Sequence, residues 1–279
     1  HASFRSSRNT EHITAKLFNK LDDILQIAHP MKSLVLAFDG SAPYAKLQVQ
    51  RSRRRTHPES CLITPGTNFM KNIHDMMLCY VLQRYRRHKL DDVAVFISDG
   101  LHAGEGELKI MDWIHNYMPS LQSSTTTGTA ASPTAATGIT TTSTTGTAAK
   151  CTSAVDSVMI CGSDSDIIVQ ALCMNSISPN TSVLQVSSDG DAICSVPALY
   201  AGILQSIAAH GRAVAVDMVI LFAMQGNDYL PKLRAISNKR ALHAYAAAME
   251  AMPVPLRYLV DLPNKSFNFP ALWQLVEEI

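Results

Sequence analysis

Three strand-length apolar runs dominate the first half of the chain: SLVLAF from Ser33, VAVFIS from Val93 and SVMICG from Ser157. Each stops at a loop rich in glycine, serine and acids, and each is followed by a helical pattern. Continuous apolar runs of this length suit strands buried on both faces, and their alternation with helices predicts an α/β fold with a mostly parallel sheet flanked by helices. In such sheets ligands bind outside the carboxyl ends of the strands.

The remaining elements follow from the 3.6-residue period. Ile13 to Ala28 reads as an amphipathic helix, with Ile13, Leu17, Leu21, Ile24 and Leu25 on one face. The breaker TPGTN precedes a helix over Phe69 to Arg87, and another is expected from Glu107 to Met118. SDIIVQAL opens the helix after the third strand. Beyond Gly190 the pattern is mainly helical, and the very apolar Val214 to Met224 runs into QGNDYLP. Residues 122–150 are almost entirely Thr, Ala, Ser and Gly, which have too little apolar surface to offset their own ordering entropy. They are expected to form a disordered insertion within a domain spanning 1–279.

The 279 residues are 47% hydrophobic, ample for a packed core in one large domain or two small ones. A net charge of +1 means that any anion binding must come from local clustering. The six cysteines include no C-x-x-C pair and no Cys/His cluster with zinc spacing, as expected of scattered reduced thiols in an intracellular protein. No apolar run is long enough for a bilayer, so no membrane association is expected. The chain starts at His1 and ends within a helical pattern, so it is expected to be a fragment truncated at both ends.

The acids fall at the ends of the apolar runs. Asp39 closes the first, Glu105 and Glu107 follow the second, Asp164 and Asp166 follow the third, and Asp228 comes just past the apolar helix. Any one of them alone reads as a helix cap or first-turn residue, and Asp99 is expected to be only that. Six carboxylates converging at one end of a sheet would repel one another, and divalent cations remove that penalty. Oxygen ligands without His or Cys suit Mg²⁺ or Mn²⁺. Two such ions ~4 Å apart are the arrangement that hydrolyses phosphodiesters.

Next to Asp39 the chain turns basic in AKLQVQRSRRR. On a helix, Lys46, Gln50, Arg53 and Arg54 share one face, whereas Arg51 and Arg55 point elsewhere. On composition alone this is a solvated face or a localisation signal. Beside a metal site it is built to hold a phosphate.

These residues resemble the 5′→3′ exoribonucleases of the Xrn/Rat type. The carriers are AFDGSAPYAKLQVQRSRRR, ITPGTNFM, GEGELKIMDWI, GSDSDIIVQAL and QGNDYLPKL, in the family's order. Leu108 and Lys232 stand where that family has histidine. The resemblance implies a PIN-like nuclease core and a processive Mg²⁺-dependent enzyme acting on single-stranded RNA with a 5′-monophosphate. It implies that Asp39, Glu105, Glu107, Asp164, Asp166 and Asp228 hold the metal. Lys46, Gln50, Arg53 and Arg54 would form the 5′-phosphate pocket, and His1 would stack on the first base. It also implies that one further metal-site aspartate lies before His1. Work in the nucleus or the cytoplasm fits equally well. Two alternatives stay open: a flap-endonuclease-like DNA nuclease, and an RNA-binding scaffold of the same fold without turnover.

Overall fold

The computed structural model describes residues 10–57, 61–116, 157–174, 180–187, 189–206, 213–227, 230–231, 237–253 and 256–279. His1, Asp228, Lys232 and the 122–150 stretch lie outside the described residues.

Helix α1 (Thr10–Ala28) leads into β1 (Ser33–Ala37), then α2 (Tyr44–Thr56), α3 (Asn68–Arg86), β2 (Ala94–Ser98) and α4 (Gly106–Asn116). Strands β1 and β2 are parallel, in register from Ser33↔Ala94 to Ala37↔Ser98, so they end level. Helices α1 and α3 cover them. Met77, Tyr80 and Val81 of α3 pack with Leu17, Phe18, Leu21 and Leu25 of α1 against Leu36, Val95 and Ile97. Thr67 fixes where α3 starts, because its hydroxyl accepts from Met70 N and reaches back to Leu62 O at 2.7 Å.

A second layer holds β3 (Ser157–Gly162), α5 (Asp166–Met174), β4 (Asn180–Gln185), β5 (Ala192–Ser195) and α6 (Val196–Ser206). Its core joins Met111 and Ile114 of α4 to Ile160, Ile167, Ala171, Leu172, Val183 and Val196. Helix α4 packs on β1 and on α5, and so connects the two layers. Lys20 of α1 adds an ion pair with Asp191, just before β5, at 2.7 Å.

A single mostly parallel sheet was the expectation, and the described strands depart from it. They form a β1–β2 pair and a separate β3–β4–β5 sheet, in which β3–β4 is parallel and β4–β5 antiparallel. Strand β5 falls where a helix was expected. The connection over 186–191 is too short for a parallel crossover, so the returning chain must pair antiparallel. The C-terminal region is likewise not purely helical. Helices α7 (Ala213–Met224), α8 (Asn238–Ala251) and α9 (Phe269–Glu278) enclose a core of Val214, Met218, Tyr245, Leu259 and Leu275, and a small hairpin of β6 (Val260–Asp261) and β7 (Ser266–Phe267) precedes α9. Among the described residues no helix is long and apolar enough to cross a membrane.

Gly40 holds the exits of β1 and β2 together. Its N–H donates to Gly104 O at 2.8 Å, and Gly104 N donates to Ser41 O at 3.1 Å. A Cβ on Gly40 would lie 1.7 Å from His102 O, a backbone atom with no rotamer to move. Gly40→Ala should therefore force the loops apart. With both hydrogen bonds lost and the overlap relieved by backbone shifts, the expected cost is roughly 3–5 kcal/mol, read by urea unfolding.

Candidate active site

Asp39 does cap a helix, but one far away in sequence. Its Oδ1 accepts from Gly106 N at 2.7 Å, which docks the start of α4 onto the end of β1. Gly106 permits that approach, since a Cβ there would lie 2.9 Å from Ala37 O. The docking places Glu105 and Glu107, on either side of Gly106, next to Asp39. Lys109 reinforces it by donating to Phe38 O and to Asp99 O, both at 2.8 Å, so one ammonium joins the exits of the two strands. Burial holds the Lys109 pKa below its ordinary value, against the pull of Asp99 and Asp39.

Around this junction lies an open cleft of about 380 Å³. The exit of β1 supplies Asp39, and the start of α4 supplies Glu105, just before it, and Glu107. The exit of β3 supplies Cys161, Ser163 and Asp164. One face of α2 supplies Lys46, Gln50, Arg53 and Arg54, opposite a wall of Ile63, Thr64 and Pro65. Helix α2 has no fully buried residue, although the Lys46 side chain is only 15% exposed. Arg54 Nη2 donates to Gln50 Oε1 at 3.2 Å, aligning two of these groups.

Burial pushes the Glu107 carboxyl above its ordinary pKa, and the charges of Glu105, Asp164 and Asp166 push the same way, while a hydrogen bond from Gln170 opposes them. Asp166, the exposed first residue of α5, stands outside the cleft lining but within electrostatic reach of Glu107. Glu105 is the buried member at 6% exposure. Its Oε1 lies 2.9 Å from Lys46 Nζ, close enough for an ion pair but not aligned as a hydrogen bond.

Asp99 departs from the expected helix cap. Its Oδ1 accepts from Leu101 N and His102 N and meets His102 Nδ1 at 2.7 Å, so it braces the turn after β2. The His102 contact, chiefly, lowers its pKa. Sequence reasoning missed Lys109 and Gln170. The signal for Gln170 was an amide within the otherwise apolar IIVQAL.

Among the described residues no three His, Cys, Asp or Glu side chains stand close enough, as placed, to ligate one ion. The donors nonetheless suit a hard divalent cation. They are all carboxylates, the charges of Glu105, Asp164 and Asp166 raise the proton affinity of Glu107, and the buried Glu105 Oε1 lacks a hydrogen bond. Asp228, expected to complete the set, and His1, expected to stack on the first base, lie outside the described residues.

With this geometry in hand, the comparisons with known proteins bear on the kinship. Residues 1–60 and 55–130 match the XRN 5′-3′ exonuclease N-terminus. Over that stretch the chain is similar to the XRN family. It is 30% identical over 142 residues to the 5′-3′ exoribonuclease 2 homolog of Caenorhabditis elegans, covering 38% of this chain and 15% of that protein. The 5′-3′ exoribonuclease 2 of Gallus gallus is 30% identical over 141 residues, with the same two coverages. The 5′-3′ exoribonuclease 1 of Homo sapiens is 31% identical over 130 residues, covering 38% of this chain and 8% of that protein. The chain thus spans a small part of the length of these relatives. The XRN stretch carries Asp39, α2, Glu105 and Glu107, whereas Asp164 and Asp166 come from β3 and α5, beyond it.

Proposed function

We propose that this chain carries the catalytic cleft of a 5′→3′ exoribonuclease acting on single-stranded RNA with a 5′-monophosphate and releasing mononucleotides. The observation that carries the reading is the cleft itself, where the cationic face of α2 stands beside acids from three separate segments. Asp39, Glu105, Glu107, Asp164 and Asp166 would hold the Mg²⁺ or Mn²⁺, two ions in this reading, which when bound activate water and steady the leaving oxygen of a phosphodiester.

The chain's own residues do the positioning. The guanidinium forks of Arg53 and Arg54 grip the terminal phosphate, with Gln50 as a neutral donor and Lys46 as a point charge. The α2 face is fixed relative to α4 by the β1 exit, so the distance from gripped phosphate to acids selects the first internucleotide bond. The Gly40–Gly104 loop contacts and Lys109 keep that distance constant.

Turnover of one RNA carrying either a 5′-monophosphate or a 5′-hydroxyl tests this. Arg53→Glu should lower kcat/KM on the monophosphate form by about 100-fold and leave the hydroxyl form within about threefold. Equal loss on both ends would remove the phosphate pocket. Binding without cleavage by the unaltered chain would mean a scaffold.

A further inference from the structure

Lys46 and Glu105 belong to opposite halves of the cleft, yet they are paired. Nζ and Oε1 are 2.9 Å apart, and the side chains are only 15% and 8% exposed. Each charge is largely withdrawn from water, and each compensates the other. Two neighbours compete for them. Gln50, Arg53 and Arg54 on the Lys46 face would hold a phosphate, and Glu107 and Asp164 beside Glu105 would attract a divalent cation. An ammonium shared between a carboxylate and a phosphate neutralises neither in full, and the carboxylate repels the phosphate.

We propose that the Lys46–Glu105 pair couples the two halves of the cleft. A divalent cation that takes Glu105 releases Lys46 to the 5′-phosphate, and a 5′-phosphate that draws Lys46 away opens Glu105 to the cation. This inference rests on the reading of α2 as a phosphate grip. By linkage the coupling is reciprocal, so each ligand tightens the other by one factor. Without a cation the grip relies on Gln50, Arg53 and Arg54. The metal-free cleft thereby carries no isolated buried carboxylate.

The test is a binding cycle with the full chain and a fluorescent nucleoside 5′-monophosphate, at fixed pH, in EDTA or in Mg²⁺. Mg²⁺ should tighten binding to the unaltered chain at least about fivefold, the low end of ordinary coupling. In EDTA, Glu105→Gln should mimic the cation and tighten binding by a similar factor, about fivefold. In a Lys46→Met background the same substitution should change the EDTA affinity less than about twofold, because no ammonium is left to release. Equal tightening in both backgrounds would mean a general field effect and overturn the coupling, as would an EDTA affinity unmoved by Glu105→Gln. No binding by the unaltered chain in either buffer would remove the phosphate grip itself, a different failure. Should Lys46→Met not fold, Lys46→Gln keeps a hydrogen-bond donor without the charge and completes the same cycle.

Discussion

Glu105→Gln should lower turnover of 5′-monophosphate RNA at least about 100-fold without weakening the fold. Loss of a group that merely orients a metal ligand already costs about 10–100-fold, so loss of a ligand belongs at or above that range. The substitution is close to isosteric, and the neutral amide holds the Lys46 ammonium less tightly than the carboxylate did. It also removes a charge that raises the proton affinity of Glu107, so repulsion within the cleft falls. The lost ion pair with Lys46 and the relieved repulsion oppose each other, so thermal stability should change little while activity disappears. Parallel measurements of kcat, melting temperature and Mn²⁺ binding check this. Turnover within a few-fold of the original would exclude Glu105 from the reaction. A large drop in melting temperature would make its role structural.

The second large effect is at Asp217, in the middle of the apolar helix α7 and fully buried. Its Oδ2 accepts from Tyr245 OH at 2.7 Å and from Leu259 N at 2.9 Å, and Oδ1 accepts from Val260 N at 3.2 Å. One carboxylate thus ties α7 to α8 and to β6. In Asp217→Asn the amide nitrogen must face one of these donors whichever way it is turned, which strands a buried N–H or O–H at about 1–3 kcal/mol. Asp217→Ala strands all three donors and should cost about 3–5 kcal/mol.

Burial pushes the Asp217 pKa from its ordinary 3.8 up to about 6, against the three hydrogen bonds that favour the charged form. The folded value lies above the unfolded one. Its contribution is therefore fully present below about pH 4 and is lost as pH rises through about 6, a swing of about 3 kcal/mol. The asparagine variant cannot titrate there. Its deficit in urea unfolding should be larger at pH 4 than at pH 7, and a deficit independent of pH would contradict this account.

Much of the local structure was legible because apolar period and breakers act over a few residues. SLVLAF and SVMICG read as strands and TPGTN as the breaker before a helix, although β1 is half-buried throughout and β3 buries only Ile160, not the two-sided burial expected. The spacing of Lys46, Gln50, Arg53 and Arg54 already placed them on one side of α2. Acids repeated at strand exits suggested convergence, because the exits of parallel strands lie at one end of a sheet. The failures have one kind of cause. AICS over 192–195 has no pattern of its own, and it becomes a strand only because β4 offers an edge at the end of a short turn. Asp99 carries the same signal as Asp39, yet one braces its own turn and the other receives the N–H of a helix 67 residues away.

By itself, then, the amino-acid order determined where β1, β2, β3 and the helices before Gly190 run, and which face of α2 carries the cations. Backbone conformation and side-chain direction follow from neighbours a few positions apart. Tertiary structure alone decided the partners. It made Asp39 the anchor of α4, set Lys46 against Glu105, separated β1–β2 from β3–β4–β5 and buried Asp217 under three donors from distant segments. A charge or a hydrogen-bonding group advertises its chemistry along the chain, but what satisfies it depends on which surfaces the packing of the core brings within 3 Å or so.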